Sequence, residues 1–315
     1  MPMSVSSSLR RALVLAVAAC VLAACGHSSG AKSVSGMDMK GMDGANGMNM
    51  NMGGSGDDMP GMAEPSGPKI VAAAASDNGL HGAVGGYSYV ADASTVAAGS
   101  AVPFTFHING PSGKAVTRFQ PYEGQLLVFY VVRTDLGDFR QLTASMRADG
   151  TWTVPLPALP AGSYRTYITF AAPDSSAGTP LSYSLSQPLT VPGSAAGVTL
   201  PAASDTATAD GYALRLTGSP HQGGETGLGV AVTKDGKPVQ QFDRLLDGYA
   251  HLTAFHSGDA AFARALSTGR SAGGASGAGA LTAQILFPEP GAWRLFVQFQ
   301  TSGVVHTAAF TVEVP

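Results

Sequence analysis

The sequence predicts an all-β chain in which two tandem immunoglobulin-like β-sandwich domains follow a disordered Met-rich tether. Three observations carry this. From about residue 84 onward, short runs rich in β-branched and aromatic residues alternate with Gly, Pro and Asp, as in "AVPFTFHI", "GQLLVFYVVRT" and "GSYRTYITFAA". That is an antiparallel strand-and-turn pattern. The runs then come a second time, in "GYALRLTG", "YAHLTAFHS", "GALTAQILFP" and "GAWRLFVQFQT". Finally, residues 26–80 are dense in Gly, Ser, Asp, Asn and Met and show no apolar periodicity, so they bury too little surface to offset the entropy of ordering.

The leader comes first. Arg10 and Arg11 precede "ALVLAVAACVLAA", a run that rises only about 20 Å as a helix and is too short for a hydrocarbon core of about 30 Å. Residues 1–25 are therefore expected to be a secretory signal rather than a membrane span. Its end, Leu22-Ala23-Ala24-Cys25, resembles a bacterial lipobox, in which Cys25 would be lipidated and become the new N-terminus. An ordinary small-residue cleavage site is the alternative, and "VAAC" at Cys20 is a competing position with a shorter apolar run. The expected location is the outer face of a bacterial membrane, held by the lipid. Both cysteines of the chain lie in this leader, so the exported part must fold by burial alone, without disulfides.

The tether, residues 26–80, holds eight of the eleven methionines: Met37, Met39, Met42, Met48, Met50, Met52, Met59 and Met62. Thioether sulfur is soft and uncharged, which suits Cu(I) better than zinc, calcium or magnesium. The close spacings let two or three sulfurs converge on one ion in a flexible chain. Copper, as Cu(I), is thus the expected cofactor, with His27 and His81 at the ends of the tether as further candidate ligands. A passive spacer whose methionines serve as an oxidation sink is the alternative.

The repeats set the remaining boundaries: 81–192, a linker at 193–208, and 209–315. Gly162-Ser-Tyr-Arg-Thr-Tyr-Ile-Thr-Phe170 matches Gly291-Ala-Trp-Arg-Leu-Phe-Val-Gln-Phe299 in chemical character, and each copy opens with Gly-Tyr, at 86–87 and 211–212. The period of about 125 residues is too long for a solenoid and fits tandem domains. Each copy, with about seven strands, has the size of an immunoglobulin-like sandwich. Strand alternation puts Tyr164, Thr166, Ile168 and Phe170 on the inner face, with Arg165, Tyr167 and Thr169 on the other, and makes Trp293, Leu295, Val297 and Phe299 the inner face of copy two.

Several function classes are set aside. With charged residues at 12% and a net charge of −3, no basic patch exists to displace counterions from nucleic acid. A blue-copper centre needs a cysteine, and none follows Cys25. Gly269-Arg-Ser271-Ala-Gly273 matches a hydrolase nucleophile pattern, but the required strand–turn–helix setting is missing from a small-residue loop, so no enzyme is expected. His251 and His256 lie five apart and face opposite sides of a regular strand. Matching Gly124 to Gly248 puts Leu127 opposite His251, so the first copy has no equivalent histidine.

At "QPYEGQLLVF", "DRLLDGYAHLTAF" and "EPGAWRLFVQFQTSGVVHTAAFTVEV" the chain resembles a group of bacterial secreted heavy-metal-associated, copper-resistance-like or YtkA-like β-sandwich lipoproteins. The resemblance implies a Gly-x-x-His-Leu element, matched by Gly248-Tyr-Ala-His251-Leu252, which makes His251 a candidate metal ligand. It also implies a His-x-His-Pro element, at whose place Arg264 and Leu266 stand. Together these observations predict a membrane-anchored, non-catalytic lipoprotein that binds copper or another soft metal. Its partners would be the membrane through the lipid, the metal ion, and an envelope protein. The alternative is an interaction module whose sandwiches bind a protein or polysaccharide while the tether is passive.

Overall fold

A computed structural model describes residues 71–72, 78–172, 181–271 and 280–315. The leader, Cys25, His27 and the eight methionines from Met37 to Met62 lie outside the described residues. No helix occurs among the described residues. The strands of the first repeat are β1 (Val71–Ala72), β2 (Ala83–Val84), β3 (Tyr87–Ala91), β4 (Val102–Asn109), β5 (Leu127–Arg133), β6 (Phe139–Thr143), β7 (Ser145–Met146), β8 (Trp152–Leu156), β9 (Gly162–Ala172) and β10 (Leu181–Val191). Those of the second are β11 (Thr206–Ala209), β12 (Tyr212–Thr217), β13 (Glu225–Lys234), β14 (Lys237–Pro238), β15 (Ala250–His256), β16 (Phe262–Ser271), β17 (Ala280–Leu286), β18 (Gly291–Thr301) and β19 (Val304–Val314).

The first repeat pairs its strands into two sheets, β1-β10-β9-β5-β6 and β2-β3-β4-β8-β7. Alternate residues of both sheets meet in one core that includes Phe106, Phe129, Trp152, Tyr164, Ile168 and Phe170. The second repeat follows the same course, with β12, β13, β15, β17, β18 and β19 in the places of β3, β4, β5, β8, β9 and β10. Its core includes Leu214, Val230, Phe287, Trp293, Leu295, Val297 and Phe299. The inner faces expected for β9 and β18 are the observed ones.

The copies differ at the strand that crosses between sheets. In the first repeat it is broken at Ala144 into β6, paired with β5, and β7, paired with β8. In the second, β16 is continuous: it pairs with β15 up to Arg264 and with β17 from Ala265, with a register shift between Ala265 and Ser267. Such a bulge bends a strand enough to let it serve both leaves of a sandwich. This places 267–271, expected as loop, in a paired strand.

Both repeats also bury the faces turned away from their own cores. β5 and β15 are buried at six consecutive positions, the mark of a strand covered on both sides. Val128, Tyr130, Val132, Phe139 and Tyr167 of the first repeat pack against Phe255, Ala260, Phe262 and Phe296 of the second in a third apolar cluster. Phe139 and Phe296 stack with centroids 4.2 Å apart. Tyr167 lies 5.1 Å from Phe255 and 5.3 Å from Phe262, and its hydroxyl donates to the Ala260 carbonyl. Burying one such aromatic side chain is worth about 1.5–3 kcal/mol, so this seam joins the two sandwiches firmly.

Two chain segments fasten the seam. In the connection between repeats, the Val198 amide donates to Asp135 Oδ2 at 2.9 Å, and the Ser204 amide donates to the Thr311 carbonyl at 2.9 Å. At the start of the first repeat, the Phe262 amide donates to the Asn78 carbonyl at 2.7 Å and the Ser186 amide to the His81 carbonyl at 3.0 Å. Residues 78–82 therefore strap one sandwich to the other. A Cβ at Gly79, where φ is 68°, would fall 2.8 Å from Phe262 Cβ, so glycine is needed for this close approach. The end of the segment expected as tether is thus part of the fold.

The seam makes unfolding of the repeats interdependent. Phe296→Ala is expected to lower stability by about 2–4 kcal/mol and to split one urea transition into two, measured by near-UV circular dichroism together with tryptophan fluorescence.

Candidate functional site

Two tight turns bring polar groups into the seam. Tyr122 and Gln125 exchange backbone hydrogen bonds of 2.7 and 3.0 Å across Glu123 and Gly124, whose φ values are 52° and 71°. That left-handed pair defines a type I′ turn and is rare for a residue other than glycine. In the second repeat, Leu245 and Gly248 exchange bonds of 3.0 and 3.1 Å. The turns abut: a Cβ on Gly124 would lie 3.2 Å from the carbonyl carbon of Leu246. Glu123 is thereby held against β15 and β16.

Around Glu123 the charges alternate. Its Oε1 is 3.6 Å from Arg264 Nη1, and its Oε2 is 3.7 Å from His251 Nδ1. Both separations exceed hydrogen-bonding range, and Glu123 Oε2 and Arg264 Nη1 have no hydrogen-bond partner. Arg264 Nη2 donates to Ser182 Oγ at 2.7 Å, and its guanidinium lies 4.4 Å over the Tyr122 ring. The Tyr130 hydroxyl is 2.8 Å from His251 Nε2, with the two rings nearly parallel. Burial, and then the Glu123 charge, raise the Tyr130 pKa well above its ordinary value, so the phenol stays protonated and donates to Nε2. The network then leaves the Nδ1 proton of His251 directed at Glu123.

The electrostatics follow from burial. It pushes the Glu123 carboxyl up, against the pull of Arg264 and Tyr122. It pushes His251 down to about 4, with the Arg264 charge adding to the shift and Asp247 opposing it. Asp247 is itself raised by burial and by Glu123. Burial thus opposes charge on both Glu123 and His251, and the imidazole, at about 4, is neutral at pH 7. The site's side chains come from both repeats and tie one to the other.

The site residues expected from sequence are dispersed. His251 lies in the seam with both ring nitrogens facing protein groups. His81 is exposed and contributes its carbonyl to the strap. His256 faces the other side of β15, toward Trp293, as alternation requires. Ser271 ends β16 opposite Ala280. The equivalence of the copies needs one correction. Val128 opposes Thr169 and His251 opposes Gln298, each the seventh residue after Gly162 or Gly291. The first-copy counterpart of His251 is therefore Val128, not Leu127, because the matching turns pair Tyr122 with Leu245 and Gln125 with Gly248, so that Gly124 corresponds to Asp247 and not to Gly248.

Glu123, Tyr130 and Tyr122 escaped the sequence analysis. The available signal was the unbroken apolar run "LLVFYVV", which needs cover on both faces. Arg264, which stands where the resemblance places a metal-binding histidine, supplies a fixed cation to Glu123 beside His251.

Arg264→Met leaves Glu123 buried and unpaired, and is expected to cost about 3 kcal/mol in urea unfolding. Adding Glu123→Gln should recover most of that loss. His251 has a folded pKa of about 4 against an ordinary value of about 6.5. Its contribution is therefore complete above pH 6.5 and is lost as pH falls toward 4, on the order of 3 kcal/mol. Glu123, shifted upward, has the opposite sign and offsets part of this. Denaturation curves from pH 7 to 4 should fall for the wild type and flatten for His251→Asn.

Residues 207–315, nearly the whole second repeat, match the model of a domain of unknown function, DUF8832. No curated protein matches the chain. Among solved structures, domains 4–9 of the surface-layer protein SbsC match at 14% identity and a TM-score of 0.21, over 72% of this chain and 31% of that one. The Escherichia coli adhesin FdeC matches at 15% identity and 0.23, over 73% and 64%. Yersinia pseudotuberculosis InvD matches at 15% identity and 0.23, over 74% and 58%. The chain spans less than two thirds of the length of each of these three proteins, and TM-scores of this size carry no functional argument.

Proposed function

We propose that the protein is an exported, non-catalytic lipoprotein, anchored through lipidated Cys25, whose Met-rich arm captures Cu(I) or a similar soft ion. The observation that carries this is the cluster of eight methionines between residues 37 and 62, with no Leu, Ile, Val or Phe among them. Met146 is the one methionine of the folded repeats, and it packs against the core of the first, as thioethers ordinarily do. The 37–62 segment carries no Leu, Ile, Val or Phe of its own to surround its sulfurs. Its donor set of neutral sulfurs fits a soft monovalent ion and keeps its strength at acidic pH, where imidazole is protonated. His251 is engaged with Tyr130 and Glu123, so in this account the ion falls to the arm.

Anaerobic titration of the full-length protein with Cu(I), against a competing chelator, tests the proposal. The wild type should take up copper nearly equally at pH 7 and 5, and a variant with all eight methionines changed to Leu should lose most of that uptake. Equal uptake by the two proteins would reduce the arm to a passive spacer and leave the sandwiches as an interaction module.

A further inference from the structure

Away from the seam, three side chains from separate segments of the second repeat meet at one point. His256 ends β15, Asp259 lies in the turn to β16, and Glu289 stands just before β18. His256 Nδ1 is 2.9 Å from Asp259 Oδ1 and 3.5 Å from Glu289 Oε1. One ligand atom from each of the three lies within 4.8 Å of the other two. Glu289 Oε1 is buried yet has no hydrogen-bond partner, an arrangement that costs free energy unless something positive meets it. The Glu289 carboxyl is raised by burial and then by the facing Asp259.

The neighbours hold these groups in place. Trp293 Nε1 donates to the Glu289 carbonyl at 3.1 Å, and the Trp293 ring lies 5.2 Å from that of His256. Gly291 has a φ of 118°, and a Cβ there would fall 2.7 Å from His256 Nε2. The imidazole is thus packed on its Nε2 side, with Nδ1 turned to the carboxylates.

The first repeat supplies an internal comparison. Arg133 opposes Tyr164 as His256 opposes Trp293, so Arg133 is the counterpart of His256. Tyr164 donates to the Pro160 carbonyl as Trp293 does to that of Glu289, so Pro160 is the counterpart of Glu289. In the first repeat, the Arg133 guanidinium pairs with Asp135 at 2.7 Å and the place of Glu289 is uncharged. In the second repeat an imidazole stands in place of the guanidinium, with a second carboxylate beside it. Among the described residues, Asp259 and Glu289 form ion pairs with His256 alone. Two carboxylates thus converge on a single imidazole, where the first repeat sets one carboxylate against a fixed guanidinium.

We infer that His256, Asp259 and Glu289 bind a borderline divalent transition-metal ion, with zinc as its representative. One imidazole nitrogen and two carboxylate oxygens suit zinc, Cu(II) or Ni(II), whereas calcium takes six or more oxygens. Bonds of about 2.1 Å in a tetrahedral site put ligand atoms about 3.4 Å apart. The 3.5 Å separation already fits this, and the 2.9 Å one must open by about half an ångström. Solvent would supply the fourth ligand. Binding would replace the Nδ1 proton, so affinity should fall at acidic pH. This nitrogen–oxygen site differs in chemistry from the thioethers of the arm and stands independently of them.

Calorimetric titration of the full-length protein with zinc, and visible spectra of its cobalt form, test the inference. The wild type should bind zinc saturably, and Glu289→Gln and Asp259→Asn should each weaken it at least tenfold and lose the tetrahedral cobalt bands. Both variants should remain folded, with a single cooperative urea transition in metal-free buffer, and the protein with all eight arm methionines changed to Leu should bind zinc as the wild type does. Unchanged zinc affinity in both carboxylate variants, or no saturable binding by the wild type, would overturn it.

Discussion

Each sandwich carries large apolar side chains on the face turned away from its own core, and the two faces are buried against one another. Val128, Tyr130 and Val132 on β5 meet Phe255 and Phe262 on β15 and β16, while Phe139 stacks on Phe296. A sheet face of this kind left in water would be a site for aggregation or partner capture. Here it instead fixes the repeats as a pair, and the strap at 78–82 and the connection at 198–204 follow its margins. The abutting turns and the Glu123 site both depend on this seam.

Within it, the polar cluster adds less to net stability than its charges suggest. Burying Glu123 and Arg264 carries a desolvation cost that their contact only partly offsets. Its value is directional, because an apolar seam alone tolerates sliding, whereas an unpaired buried charge does not. One register brings Glu123, Arg264, His251 and Ser182 together. The two copies differ at corresponding positions: Val128, Arg133 and Pro160 of the first stand where the second has His251, His256 and Glu289.

Much of the fold was legible because strand alternation is a local property. The inner faces of β9 and β18, the turn residues and the tandem copies follow from a period of two and from Gly-rich breaks. The seam was harder to read. Tyr167 and Thr169 were assigned to a face opposite the core, and nothing local says that such a face meets a distant one. The unbroken run from Leu126 to Val132 held that information, since a strand exposed on one side would alternate. Glu123 was unreadable in principle, because its role depends on Arg264 and His251, far along the chain. The His256 cluster likewise joins residues 33 positions apart, which only the closure of the sandwich brings together. The methionine segment is the reverse case: its chemistry is written in its composition.

The central functional claim is that a soft ion is held by sulfur in the arm and not by nitrogen or oxygen of the folded body. X-ray absorption at the copper edge on the full-length protein, loaded with one equivalent of Cu(I), tests this most directly. The account predicts a first shell made mainly of sulfur scatterers, with the copper remaining cuprous. A shell of nitrogen and oxygen alone would contradict it.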